Sequence, residues 1–204
     1  MYLFLIPLLA YLIGSFSSAY VVGRVFKKID ITKLGSGNPG TTNAMRVMGK
    51  KFGLITFALD FLKGMLASLL GIYLYGYYGG LLASLFVVIG HNWPVFFNFK
   101  GGKGIAATIA SLAILQFPLT LISVLIGVLV AAITRYVSLG SIVFLTINFI
   151  LSFSGIIKID IYTQLTYFLL FVLGLYRHRA NIKRLINKTE NRIGRWKYWK
   201  LKLV

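Results

Sequence analysis

The feature that most restricts this chain is a succession of apolar stretches, each near the roughly 20 residues with which an α-helix crosses a bilayer. They occupy 3–22, 53–75, 79–95, 105–134, 139–157 and 161–176. Hydrocarbon offers the backbone no water, so a spanning segment must satisfy its own hydrogen bonds, and a helix does so. The reading is an all-α integral membrane protein forming a single domain over 1–204. A water-soluble domain that is 58% hydrophobic with a net charge of +18 would be unusual; the combination is ordinary when the apolar surface faces lipid. Run 3–22 lacks a basic leader and a small-residue cleavage site, so it reads as a membrane helix and not a removed signal peptide.

Run 105–134 carries Gln116 and Pro118 at its middle. Proline removes a helix donor and crowds the preceding turn, so the run is either one kinked helix or two short ones. Charge decides, because Lys and Arg in short loops mark the cytoplasmic side. Splitting at Gln116 gives seven helices, with 105–115 and 119–134 as the fourth and fifth. With the N-terminus outside, the seven basic residues of 24–52, then Lys100, Lys103, Arg135 and the ten from Arg177 onward all face the cytosol. Lys158 alone is outside and Lys63 lies within a helix. Six helices would put Arg135 and the whole C-terminal segment on the wrong face. The expected C-terminus is therefore a basic cytoplasmic tail, 177–204, of a multi-pass membrane protein with its polar face to the cytosol.

Segment 105–115 rises only about 16 Å, against a core of about 30 Å. Either it starts deep, leaving "FKGGKG" in a protein-lined recess, or the bilayer thins around a short helix. The end of the tail, "RWKYWKLKLV", interleaves aromatics with lysines. Membrane tethering on anionic headgroups accounts for it, and no nucleic-acid partner is expected.

Three polar clusters lie on the cytoplasmic side. In "KLGSGNPGTTNAMR", Gly35, Gly37 and Gly40 permit turns whose successive N–H groups form an anion nest. Ser36, Asn38, Thr41, Thr42 and Asn43 add neutral donors, and Arg46 offers a fork suited to phosphate. The same composition also fits a plain connector. In "GHNWPVFFNFKGGKG", Gly101, Gly102 and Gly104 surround Lys103 just before a helix N-terminus, where an anion is favoured. It is not the nucleotide P-loop, because Gly104 stands at the Ser/Thr place and no strand precedes it. His91 reads as a polar group at the membrane boundary. In "HRANIKRLINKTE", His178 and Asn181 share a helix face, and histidine suits proton transfer near neutrality; a headgroup hydrogen bond is its plainer role. Ser141 begins the sixth helix on the same side, where it serves either the site or only its own helix. Asp60 and Lys63, one turn apart within the second helix, read as a self-neutralising structural pair.

With no cysteine and only Asp30, Asp60, Asp160 and Glu190 as acids, thiolate, zinc and paired-carboxylate chemistries are poorly supplied. What remains is a pair of glycine-rich, cation-bearing loops and a His-x-x-Asn beside the lipid, which suits phosphorylated substrates and a lipidic product.

Taken together, "GSGNPGTTNAMR", "GHNWPVFFNFKGGKG" and "HRANIKRLINKTE" resemble the three motifs of the bacterial acyl-phosphate:glycerol-3-phosphate acyltransferases, and the likeness covers nearly the whole chain. The resemblance implies transfer of an acyl group from acyl phosphate to the 1-hydroxyl of glycerol 3-phosphate, giving lysophosphatidic acid and inorganic phosphate. It implies no cofactor and no metal. The partners it implies are the two substrates and membrane lipids, with the monomer active. Its functional positions map onto Ser36, Arg46, Lys103, Ser141, His178 and Asn181, with glycines of the first two motifs shaping the phosphate sites. The H-x-x-x-x-D signature of acyl-CoA-using enzymes is absent, since Phe96 and Lys183 stand at the places its Asp would occupy. Thr41 replaces the usual alanine, and Lys188 replaces a common glycine, leaving the role of Glu190 open. The glycerol hydroxyl loses its proton either to His178, oriented by Asn181, or to a substrate phosphate oxygen. A transporter of organic phosphates and a noncatalytic headgroup-binding protein are the rival classes. A transporter would favour repeated halves and a midplane site.

Overall fold

In a computed structural model, residues 2–155 and 158–194 are described, and every regular element among them is helical. In order they are α1 (Tyr2–Gly14), α2 (Ser18–Lys27), α3 (Thr41–Met48), α4 (Lys50–Asn92), α5 (Ile105–Leu115), α6 (Phe117–Thr134), α7 (Val137–Ser152) and α8 (Ile161–Ile186). Among the described residues three stretches are long and apolar enough to cross a membrane: Leu3–Lys27, Lys50–Phe97 and Phe117–Thr134. Helices α5 and α7 are shorter apolar helices. The basic aromatic segment 195–204 lies outside the described residues.

Helix α4 is a hairpin. Tyr75 (φ −152°, ψ 32°) and Gly76 (φ 61°, ψ −157°) leave helical geometry, and the positive φ at Gly76 is one that glycine adopts without strain. The arms 50–74 and 77–92 then run back alongside each other. A Cβ on Gly71 would stand 2.3 Å from the Gly79 carbonyl oxygen, so only glycine lets the backbones approach this closely. Asp60 and His91, about 46 Å apart on a straight helix, come within 3.5 Å. These arms correspond to the expected helices 53–75 and 79–95.

The split expected at Gln116 is also present. Gln116 alone separates α5 from α6, and its Nε2 donates to Tyr77 Oη at 2.9 Å. Pro118 sits in the first turn of α6, where a backbone donor is not required.

The first apolar run departs from the single helix expected over 3–22. It breaks after Gly14 and restarts at Ser18. The reason is a partner distant in sequence: Lys63 Nζ donates to the carbonyls of Gly14 (3.0 Å) and Phe16 (2.7 Å), groups that the break leaves without helical donors. Lys63 also pairs with Asp60 at 3.1 Å, and Asp60 Oδ1 accepts from Ser18 Oγ at 2.7 Å, at the start of α2. The pair that the sequence suggested is therefore present and also staples a helix break. Two other boundaries differ: α7 ends at Ser152, and α8 continues to Ile186 instead of stopping at 176. The third motif thus lies mostly on a helix, with only its end in the tail.

A central core joins Ile6 and Ala10 of α1, Val87 of α4, Leu112 of α5 and Leu170 of α8. A second cluster packs Ala19 and Val22 of α2 and Ile31 against Ala44, Val47 and Met48 of α3. It fixes the first glycine-rich stretch against one end of the bundle. Lys63→Met leaves the Asp60 carboxylate buried without its cation, and removing one partner of a buried pair costs about 3–5 kcal/mol. Thermal unfolding in detergent should show a markedly lower midpoint for this variant. Adding Asp60→Asn should recover part of the loss; an unchanged midpoint in Lys63→Met would contradict the stapling role.

Candidate active site

A cavity of about 550 Å³ opens at the end of the bundle that carries α3, a size typical of small-molecule sites. Three helix N-termini reach its wall: α3 through Thr41 and Thr42, α5 through Ile105 and Ala106, and α7 through Val137 and Ser138. First-turn amides lack acceptors within their helix and carry the positive end of its dipole, so they attract anions. Arg46, Lys103, Arg177, Arg179 and Arg184 add positive charges to the same wall.

The first loop is shaped by Asn43. Its Oδ1 accepts from the Ser36 amide at 2.9 Å and from Arg46 Nη1 at 3.4 Å, while Nδ2 donates to the carbonyls of Ile31 (3.3 Å) and Leu34 (3.0 Å). Asn43 borders the cavity, and its four polar positions are engaged by the loop backbone and Arg46, which gives it a shaping role. Ser36, Asn38 and Gly40 reach the wall. Gly37 does not: it turns at φ 71°, and its amide donates to the Leu34 carbonyl at 3.0 Å.

In the second loop, Gly101 and Gly102 stand behind the wall. A Cβ on Gly101 would meet the His91 carbonyl oxygen at 2.1 Å, and one on Gly102 would meet His91 Nε2 at 2.1 Å. The Gly102 amide donates to the His91 carbonyl at 3.0 Å. Close packing against His91 thus routes the loop at both glycines, and the Gly102 amide is taken by the His91 carbonyl. Gly104, at φ 78°, caps α5 and does border the cavity, as does Lys103. Gly101, Gly102 and Gly104 are all buried, whereas Phe99 and Lys100 of the same loop are exposed.

The last turns of α8 supply the third side. Lys103 Nζ donates to Asn181 Oδ1, Asn181 Nδ2 donates to Glu190 Oε1 at 2.9 Å, and Arg184 Nε meets Glu190 Oε2 at 2.7 Å. Glu190, whose role the sequence left open, is the anchor of this chain. His178 is 1% exposed, and its Nδ1 lies 2.8 Å from the Gly174 carbonyl. A carbonyl only accepts, so Nδ1 carries the proton and Nε2 keeps its lone pair. Ser141 borders the cavity while its hydroxyl donates to the Val137 carbonyl at 2.9 Å.

Beyond Tyr176, α8 carries Arg177, Arg179, Lys183 and Arg184, leaving the apolar stretch 161–176 behind. Burial, together with the charge of Lys103, pushes the His178 imidazole down to about 4, so it is neutral near pH 7. Burial lowers Lys103 as well; Glu190 opposes the shift, Arg184, Arg177 and Arg46 add to it, and the ammonium lies at about 8. The site thus combines cations, helix N-termini and one neutral imidazole acceptor, a set able to hold an anionic group and orient a hydroxyl beside it. Sequence reasoning missed Arg177, Arg179 and Arg184, and it did not place Asp60 or His91 on the cavity wall.

The glycerol-3-phosphate acyltransferase family profile matches residues 4–188. A glycerol-3-phosphate acyltransferase of Thermoanaerobacter pseudethanolicus is 45% identical over 200 residues, covering 95% of this chain and 97% of that protein. One from Finegoldia magna is 42% identical over 195 residues, covering 96% and 98%. Among solved structures, the glycerol 3-phosphate form of PlsY (YgiH), an integral membrane glycerol 3-phosphate acyltransferase, superposes with a TM-score of 0.88. Its sequence is 35% identical, with 94% of this chain and 95% of that one covered. The lysophosphatidic acid form of that protein gives a TM-score of 0.85 at 35% identity and the same coverage.

The position of Lys103 near 8 gives the site a pH signature. Sulfate keeps its charge between pH 6.5 and 9.5, so any change in its affinity reports the protein. Affinity measured by calorimetry should weaken severalfold as the pH rises above about 8 and the ammonium loses its proton. In Lys103→Arg the weakening should vanish from this range, because guanidinium stays charged. Constant affinity up to pH 9.5 in the unaltered protein would contradict the assignment.

Proposed function

The chain belongs to the glycerol-3-phosphate acyltransferase family, and from that premise we propose that it acylates the 1-hydroxyl of glycerol 3-phosphate with acyl phosphate as donor. The products are lysophosphatidic acid and inorganic phosphate. One observation carries the reading: the three helix N-termini, Arg46, Lys103 and His178 meet in one cavity.

Acyl phosphate is already activated, so the main task is to align two mutually repelling anions and stabilise the leaving phosphate. Arg46, Lys103 and the first-turn amides of α3, α5 and α7 hold phosphate groups. Ser36, Asn38, Thr41, Thr42 and Ser141 offer further polar contacts on the wall. The glycerol oxygen attacks the acyl carbon, the bond from that carbon to the phosphate oxygen breaks, and the electron pair leaves with phosphate. The hydroxyl proton passes to a phosphate oxygen. An imidazole near 4 is a weak base at neutral pH, whereas a phosphate group titrates near 6. His178 Nε2 acts as the acceptor that aims the hydroxyl, and Asn181 holds Lys103 beside it.

The same reading takes the monomer as the active form. Seven crossings, with the N-terminus outside and the cavity toward the cytosol of a bacterial inner membrane, put the basic loops where the positive-inside rule expects them. The same placement accounts for the charge without a nucleic-acid partner.

Purified protein in detergent or lipid should release phosphate from acyl phosphate only when glycerol 3-phosphate is present, with lysophosphatidic acid formed in equal amount. Failure to do so in folded protein would overturn the reading. His178→Ala should lower kcat on the order of 100-fold, the cost of a misaligned reactant. A limb of the kcat profile near pH 6, arising from substrate phosphate, should persist in that variant. Its disappearance would instead make the histidine the base.

A further inference from the structure

We infer that Arg177 is a positioning residue: its guanidinium fixes the Gly101–Gly104 turn and thereby sets where Lys103 stands in the cavity. Arg177 Nε donates to the Gly102 carbonyl at 3.0 Å, and Nη2 donates to the Gly101 carbonyl at 2.7 Å. Two consecutive peptide groups are thus held by one planar fork, a geometry a lysine ammonium does not reproduce. The guanidinium lies over the Trp93 ring at 5.2 Å from its centre, and the Trp93 carbonyl accepts from Tyr11 Oη at 2.8 Å. The fork is in this way backed by the bundle.

The opposite side of the turn is held by His91. Its carbonyl accepts the Gly102 amide at 3.0 Å, and its ring occupies the space where a Gly102 side chain would be. Gly102 is therefore fixed at its amide by α4 and at its carbonyl by α8, immediately before Lys103. Arg177 and Asn181 are four residues apart on α8 and share a face. The helix grips the loop backbone through Arg177 and the Lys103 side chain through Asn181. His178 lies on the same turns, so the spacing between cation and imidazole is set by a single helix.

Charge pairing does not explain this arrangement. Asp30 pairs with Arg24, Asp60 with Lys63 and Glu190 with Arg184, while Asp160 caps α8. None of these four acids bridges Arg177, and the two groups that its guanidinium holds are neutral carbonyls. The guanidinium keeps its full charge beside an anion site while serving as a mount.

The test uses the full-length protein in detergent with Arg177→Gln and Arg177→Lys. Hydrogen exchange of segment 100–104 should accelerate at least tenfold in both variants, with α4 and α8 exchanging as before. The kinetic arm rests on the transferase reading: KM for glycerol 3-phosphate should rise at least tenfold and kcat fall by less, with Arg177→Lys within about twofold of Arg177→Gln. Unchanged loop exchange in a folded variant would overturn the inference. So would an Arg177→Lys protein whose exchange and KM match the unaltered protein, since charge alone would then suffice. If the unaltered protein shows no acyl transfer, the functional reading fails, and loop exchange still decides the role of Arg177.

Discussion

The hydrogen-bonded chain from Lys103 through Asn181 to Glu190 and Arg184 is the interaction on which the rest of the site depends. Five cations and three positive helix ends share one cavity, and without a substrate they repel one another. Glu190 answers that repulsion without neutralising the wall: it takes Arg184 directly and orients Asn181, which then holds Lys103 by a neutral amide. Each link needs the one behind it. Because α8 continues as a helix to Ile186, Arg177, His178, Asn181 and Arg184 stand at fixed spacings on a rigid element and not on a loose tail.

A second polar assembly, buried deeper, complements the first. Asp60, Lys63, Ser18 and the carbonyls of Gly14 and Phe16 satisfy one another at the break between α1 and α2. Irregular backbone at membrane depth is tolerated only when protein surrounds it, and here the first arm of α4 supplies Asp60 and Lys63 to it. The break brings α2 and its apolar face toward α3, which fixes the first glycine-rich loop. A buried charge pair, whose Asp60 reaches the cavity wall, thus helps set how α2 packs on α3, the helix that carries Arg46.

Apolar period and length made the helices legible, and the split at Gln116 followed from proline chemistry and the sorting of charge. The three motifs also identified most of the cavity wall. What the residues did not reveal were long-range partnerships. Nothing local in "IGSFSS" announces a helix break, because its cause is Lys63, 49 positions on from Gly14. The glycines at 101 and 102 looked like an anion nest, but the group that requires them is the neighbouring His91. Asn43 looked like a ligand donor, and its valences turned out to be filled by its own loop. Arg177 stood outside every motif, since a contact to two backbone carbonyls leaves no mark in sequence spacing. In each case residue type was readable and the partner was not.

The central claim is that cations from separate segments converge on one phosphate, and a structure determined with glycerol 3-phosphate bound tests it most directly. The account places the ligand phosphorus where Arg46 and Lys103 both donate to its oxygens at about 2.7–2.9 Å, with the 1-hydroxyl directed toward His178 Nε2. A ligand seated elsewhere on the bundle, or touching Lys103 while Arg46 points away, would contradict it.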